Sequence, residues 1–193
     1  FEGTNEINRM LITGMMLKRA MSGQLALLPA IKRLTDEIMS GPASSDPLEG
    51  PLAAERTLLA NVKKACLMLA GAAAQKYMNE ISEQQEILAA IADMVMETYA
   101  MESVILRTLK LIDHEGESRT HLAQALTQVA LTRSFDKIEA AARKVVAAIA
   151  EGDMLRTQLV ILRRLFKFEP FNTIGLCQQI ATRLIETGKY GVV

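Results

Sequence analysis

An all-α chain is what this sequence specifies: an up-and-down helical bundle preceded by a shorter helical pair. Three observations point there. Ala, Leu, Ile, Met, Gln, Glu and Lys, all good helix formers, dominate the composition. No stretch alternates apolar and polar residues with the period of two that a half-buried strand needs. Apolar residues instead recur at threes and fours, most clearly at Ile87, Ile91, Met94, Thr98, Met101, Ile105 and Ile112, the pattern of a helix that buries one stripe in a bundle.

The elements follow in order. The first helix runs from about Asn5 to Met21, with Thr4 as N-cap and Gly23 as stop, and Ile7, Leu11, Met15 and Lys18 fall on one stripe beside Met10 and Leu17. A second spans about Leu27 to Met39 and accepts Pro29 in its first turn. SGPASSDPLEGP, residues 40–51, holds three Pro and two Gly and cannot continue a helix, so it reads as a linker. It divides the pair on 1–39 from a bundle on 52–193. The bundle opens with a long helix, Leu52 to Glu80, whose AGAAA at 70–74 allows another helix to approach closely. Ser82 and Gln85 have the spacing of a capping box for the next helix, about Glu83 to Asp113. HEGES at 114–118 breaks it. Another helix then runs from about Arg119 to Ala150, with a kink expected near Arg133–Phe135. Two shorter ones follow, about Asp153–Phe166 and about Phe171–Thr187, the last with Pro170 near its first turn and Gly188 at its end.

Composition excludes several classes. Lys and Arg total 22, as do Asp and Glu, so no net charge favours nucleic acid or an anionic surface. Cys66 and Cys177 are too few for a disulfide framework and sit among apolar residues, as buried thiols in a reducing compartment do. No uninterrupted apolar run reaches the roughly 18 residues of a membrane span. Asp93, Glu97 and Glu102 share one helix, but the Glu-x-x-His motifs of a di-metal bundle are missing, and His114 and His121 flank a turn. The expectation is solvated or ion-paired carboxylates and no metal. No Gly-x-Ser-x-Gly elbow and no Gly-rich phosphate loop follows a strand. MLRTQLVILRRLFKFEPF, 154–171, has the makings of a membrane-surface segment. It reads better as a core helix whose Arg163, Arg164 and Lys167 occupy the outer face near the C-terminal end, where the helix dipole favours cations.

The opening nonamer, FEGTNEINR, reads on its residues alone either as a solvated turn or as the edge of an active site. Glu2 precedes Gly3, which lacks a Cβ and lets a ligand approach, and then comes a capped helix N-terminus that offers free N–H groups to an anion or polarised oxygen. On these residues the chain resembles the acyl-CoA dehydrogenases. Their C-terminal signature is an aromatic residue, Glu-Gly-Thr, two variable residues, Ile, one more and Arg, and Phe1, Glu2, Gly3, Thr4, Ile7 and Arg9 match it. MLITGMMLKRAMSG, 10–23, continues as in bacterial long-chain members, and QEILAAIADMVMETYAMES, 85–103, is similar to the helical C-terminal extension of the very-long-chain type.

The resemblance implies an FAD-dependent α,β-dehydrogenation of fatty acyl-CoA to trans-2-enoyl-CoA, as in fatty acid β-oxidation. Glu2 is then the general base, Gly3 lies against substrate, and Thr4, Asn5 and Glu6 run beside FAD. Arg9 orients the motif by ion pairing. It further implies a C-terminal portion of a longer polypeptide, in which 1–39 end the dehydrogenase's helical domain and 52–193 form the extension. An electron-transfer flavoprotein is the implied acceptor, a homodimer the implied assembly, and cytoplasm the expected location. The isolated chain, without the rest of the pocket, is expected to bind no flavin and to be inactive. A rival reading from another class is a non-enzymatic helical module that binds a partner helix or a membrane surface.

Overall fold

The computed structural model describes residues 3–40 and 48–191, apart from the side chain of Met39. Among these residues there are seven α-helices and no strand. They are α1 (Asn5–Met21), α2 (Leu27–Met39), α3 (Ala53–Tyr77), α4 (Gln85–Glu115), α5 (His121–Ile149), α6 (Gly152–Leu165) and α7 (Thr173–Thr187). The sequence reading of an all-α bundle preceded by a helical pair is what the structure has. Most of the linker, residues 41–47, lies outside the described residues.

Three long helices build the core. The stripe read on α4 is buried: Ile87, Ile91, Met94, Thr98, Met101 and Ile105 all face inward. They meet Leu58, Val62, Ala65, Leu69 and Ala73 of α3 and Leu131, Phe135, Ile138, Ala142, Val145 and Val146 of α5. Side-chain bonds fix the directions. Lys63 reaches Glu102 while Cys66 meets Thr98, so α3 and α4 are antiparallel. Thr108 meets Thr127 while Glu97 meets Ser134, so α4 and α5 are antiparallel as well. Glu55 bonds to Gln128 near one end of α3, and Lys76 to the Ala148 carbonyl near the other, which makes α3 and α5 parallel. This is the up-down-up order that short connections impose.

The buried polar side chains between α4 and α5 and between α3 and α5 find partners, whereas Gln158 Oε1 of α6 is buried without one. The Thr108 and Thr127 hydroxyls are 2.7 Å apart and both buried. Buried Glu55 accepts from the Gln128 amide at 2.7 Å. Such pairing is what makes buried polar atoms tolerable. Helix α3 and the turn after it, Ala53–Glu83, are long and apolar enough in mean hydropathy to cross a membrane, which a search for uninterrupted apolar runs does not detect. Here α3 instead packs one face into the bundle, with Val62, Ala65, Leu69 and Ala73 fully buried.

The connections depart from expectation where local geometry takes over. Ser82 and Gln85 form no capping box. Residues Met78–Glu83 wind into 3₁₀ turns after α3 stops at Met78, a non-glycine residue at φ 47°, and Gln84 precedes α4 with no side-chain cap. Helix α5 is continuous through Arg133–Phe135, because Ser134 donates to the Glu97 carboxylate and Phe135 is buried. Pro170 stands outside α7, which begins at Thr173 behind Asn172. The Asn172 side chain caps it by accepting from the Gly175 N–H at 3.1 Å. Between α6 and α7, Phe166 and Phe168 stack edge-on against Phe135 with centroids 5.3 and 4.8 Å away. Leu162 and Phe166 are buried and Arg163, Arg164 and Lys167 exposed, as the core-helix reading of 154–171 requires.

The leading pair lies against the bundle. Helix α2 runs antiparallel to α3, with Glu37 paired to Lys64 and Ile31 over Gly71. A Cβ at Gly71 would sit 2.7 Å from Ile31 Cγ2, so the small-residue segment 70–74 does serve as the seam read from it. Helix α1 crosses to α4. Residues of α1, α2, α3 and α4 together line a small cavity of about 30 Å³ that includes Thr13, Met16, Leu27, Ala73, Leu88 and Ile91.

Two predictions follow from packing. Gly71→Ala gains about 1 kcal/mol of helix propensity, but overpacking against a β-branched side chain costs about 1–3 kcal/mol. Thermal melting and limited proteolysis should show α2 loosened and no gain in stability. Ile31→Ala in the same chain should relieve the overlap, and a simple stabilisation by Gly71→Ala alone would contradict the seam. Burial pushes the Cys66 thiol up from 9.0 to about 11, against a smaller opposing effect of the Thr98 hydroxyl 3.4 Å away. At pH 8 the folded chain should therefore alkylate at Cys66 about 100-fold more slowly than its denatured form. Because the folded thiol holds its proton where the unfolded one has lost it, stability should fall as pH rises from about 9 through 11. Equal alkylation rates folded and unfolded would contradict this.

Candidate functional site

Phe1 and Glu2 lie outside the described residues, so the site is built here from Gly3 onward. Gly3 has φ 87°, a left-handed conformation that a side chain disfavours, which gives a second reason for glycine at that position besides close approach of a ligand. Thr4 follows in extended conformation and caps α1, accepting from the Ile7 N–H at 3.5 Å. The cap read from sequence is therefore present. Of the first-turn N–H groups without a helical partner, that of Ile7 goes to Thr4. The N–H of Glu6 faces its own carboxylate, which it holds below the usual carboxylate range, with help from the Thr4 hydroxyl. Gly3, Thr4, Asn5, Glu6, Ile7 and Asn8 are all exposed.

Arg9 is the first residue of α1 to sink toward the bundle. Its Nε donates to Asp93 Oδ1 of α4 at 2.6 Å, across 84 positions of sequence. That hydrogen bond, then the Asp93 charge, raise the Arg9 pKa above the ordinary arginine value. Both side chains keep about a third of their surface in water (30% and 40%), so screening leaves the pair little weight in overall stability. What attaches α1 is the packing behind it. Thr13 and Ala20 are buried, and Met16 and Leu17 are half-buried, against α4 and its neighbours. The stripe read on this helix points elsewhere: Ile7 and Leu11 are 61% and 60% exposed and Met15 is partly so. The face toward the bundle sets Thr13 and Ala20 beside Met16 and Leu17, and Thr and Ala are positions that hydrophobic periodicity underweights.

The three carboxylates weighed as metal ligands each have a different partner. Asp93 holds Arg9 of α1, Glu97 takes Ser134 and Lys137 of α5 at 2.7 and 2.6 Å, and Glu102 takes Lys63 of α3 at 2.5 Å. They are ion-paired, and among the described residues no group of three or more His, Cys, Asp or Glu is placed to hold a metal. A cavity of about 480 Å³ lies between α5 and α6, lined by Phe135, Leu159, Leu162, Phe166, Arg143 and Arg163. No residue of the nonamer lines it. Asp93 is the site residue that sequence reasoning did not pair. The signal was available, since an arginine in a signature needs an acid and Asp93 heads the carboxylate row, but nothing in sequence says which acid it meets.

Comparison with known proteins gives the same direction. The family model described as "Acyl-CoA dehydrogenase, C-terminal domain" matches residues 61–164, the bundle itself. A "Probable acyl-CoA dehydrogenase" of Bacillus subtilis (strain 168) is 39% identical over 192 residues, covering 100% of this chain and 32% of that protein. A crystal structure of an acyl-CoA dehydrogenase complexed with FAD from Bacillus anthracis superposes with a TM-score of 0.95 at 42% identity, over 100% of this chain and 32% of that one. The chain thus spans about a third of the length of these relatives. With a family model over more than half its residues and its whole length aligned to such proteins, the chain belongs to the acyl-CoA dehydrogenase family.

Proposed function

We propose that this chain is the C-terminal part of an FAD-dependent acyl-CoA dehydrogenase of long-chain type, with 1–39 closing the dehydrogenase's helical domain, 40–51 a linker and 52–193 a helical extension. The observation that supports the reading is that residues 3–9 of the nonamer form a turn and lead into a capped helix end. Gly3 makes the left-handed turn, Thr4 caps α1, and Glu2 adjoins that turn in sequence. The FAD complex of the Bacillus anthracis relative supports the cofactor.

The residues present fit one edge of a flavin and thioester site. Gly3 allows close approach, and the N-terminus of α1 behind it is a helix end suited to a polarised oxygen. Glu2 takes the proton from the carbon α to the thioester carbonyl. When bound, FAD supplies the acceptor for the β-hydrogen and its electron pair, so the product is the trans-2-enoyl-CoA. Thr4 holds the end of α1 in shape, and Arg9 ties that helix to α4. Exposed Ile7, Leu11 and Met15 form an apolar face suited to further protein. In this reading the longer polypeptide works in fatty acid β-oxidation as a homodimer, passing electrons to an electron-transfer flavoprotein, as the resemblance implies.

Glu2→Gln in the flavin-loaded longer polypeptide should keep FAD and lower turnover by about 10²–10⁴-fold, the usual contribution of a positioned base. Retained turnover would mean that the base lies elsewhere. The 193-residue chain alone, mixed with FAD and desalted, should show no flavin absorbance, because residues 3–8 are exposed rather than enclosed. Stoichiometric flavin on the isolated chain would overturn the reading of these residues as one edge of the pocket.

A further inference from the structure

We propose that Asp93 is a positioning residue: through the Arg9 guanidinium it fixes the roll and register of α1, and with them the placement of the Gly3–Thr4 turn that follows Glu2 in sequence. The inference rests on the reading of Glu2 as base and adds a residue of the helical extension to the catalytic geometry.

The argument is mechanical. Among the described residues, everything from Gly3 to Asn8 is exposed, and the packed positions of α1, Thr13, Met16, Leu17 and Ala20, all lie on the C-terminal side of Arg9. Arg9–Asp93 is thus the outermost tether on the end of the helix that carries the signature. Arg9 lies about 7.5 Å along the axis from Thr4 at 1.5 Å per residue, so a small roll of α1 about its packed half displaces its first turn. A misplacement of about 1 Å at a reacting group costs on the order of 10²-fold in rate. The bond is directional as well as electrostatic, since Nε donates along one line to one carboxylate oxygen at 2.6 Å.

Asp93 itself is well placed for the task. It sits one position before buried Met94 and two after buried Ile91, on a helix locked between α3 and α5. Glu97, four residues on, is fastened to Ser134 and Lys137. The acid that holds Arg9 therefore stands on a helix packed on both sides, while its partner stands next to an exposed helix end.

The test uses the flavin-loaded longer polypeptide. Asp93→Ala should lower kcat for acyl-CoA by about 10–100-fold, with KM within about threefold and FAD content unchanged. The kinetic isotope effect with α-deuterated substrate should rise, because proton abstraction becomes more rate-limiting. Arg9→Ala should match it, and Arg9→Ala with Asp93→Ala should be no worse than either alone. The reversed pair, Arg9→Asp with Asp93→Arg, should recover part of the loss. Unchanged kcat in Asp93→Ala overturns the inference. So does a fully multiplicative double variant, or a reversed pair that regains thermal stability without turnover. Glu2→Gln separates the two readings: if it retains turnover the base assignment fails, whereas if it is inactive and the Asp93 variants are normal, the positioning role alone fails.

Discussion

Helix α4 is the constraint from which the rest of the molecule takes its arrangement. Its inward stripe, from Ile87 to Ile105, is closed between α3 and α5, and hydrophobic burial of that stripe fixes the helix's rotation. Once the rotation is fixed, its carboxylates can reach only certain neighbours. Asp93 meets α1, Glu97 meets α5 and Glu102 meets α3. A row of acids with the look of a metal site is instead a row of fasteners, each for a different helix. Ion pairs of this exposure add little to stability, but they discriminate between registers that packing alone leaves close in energy.

The leading pair shows how function is attached to that frame. Helix α2 lies in a seam that Gly71 opens for Ile31, an approach that any side chain at 71 obstructs. Helix α1 has two faces of different kind. Its small residues, Thr13 and Ala20, meet the bundle, and its larger Ile7, Leu11 and Met15 remain outward. A helix with apolar residues on opposite sides is built to lie between two bodies, and in the proposed function the second body is the rest of the dehydrogenase. In that proposal the signature stands where the two meet, and its arginine finds its acid on α4.

Most of the fold was legible because the long helices carry strong periodicity and clear stops. The bounds of α1 and α2, the stripe on α4, the seam at 70–74 and the core role of 154–171 followed from residue type and spacing. What was not legible depended on tertiary context. The Ser82–Gln85 spacing favoured a cap, but the left-handed stop at Met78 drew those residues into 3₁₀ turns. Ser134 has the chemistry to disturb a helix, yet Glu97 on the neighbouring helix takes up its hydroxyl. The inward face of α1 was hidden because its two buried positions, Thr13 and Ala20, are weak hydrophobic markers while Ile7, Leu11 and Met15 on another face are strong ones. At the site, Thr4 as cap and Arg9 as an ion-paired residue were readable, whereas Asp93 as the partner required the fold.

The central claim is that α4 sets the position of the signature through α1. Hydrogen exchange on the flavin-loaded longer polypeptide, with and without Asp93→Asn, tests it directly. The account predicts that the amides of Asn8 to Thr13 exchange about tenfold faster in the variant while those of α5 are unchanged. Unaltered protection across α1, in a variant whose turnover has nonetheless fallen, would contradict it.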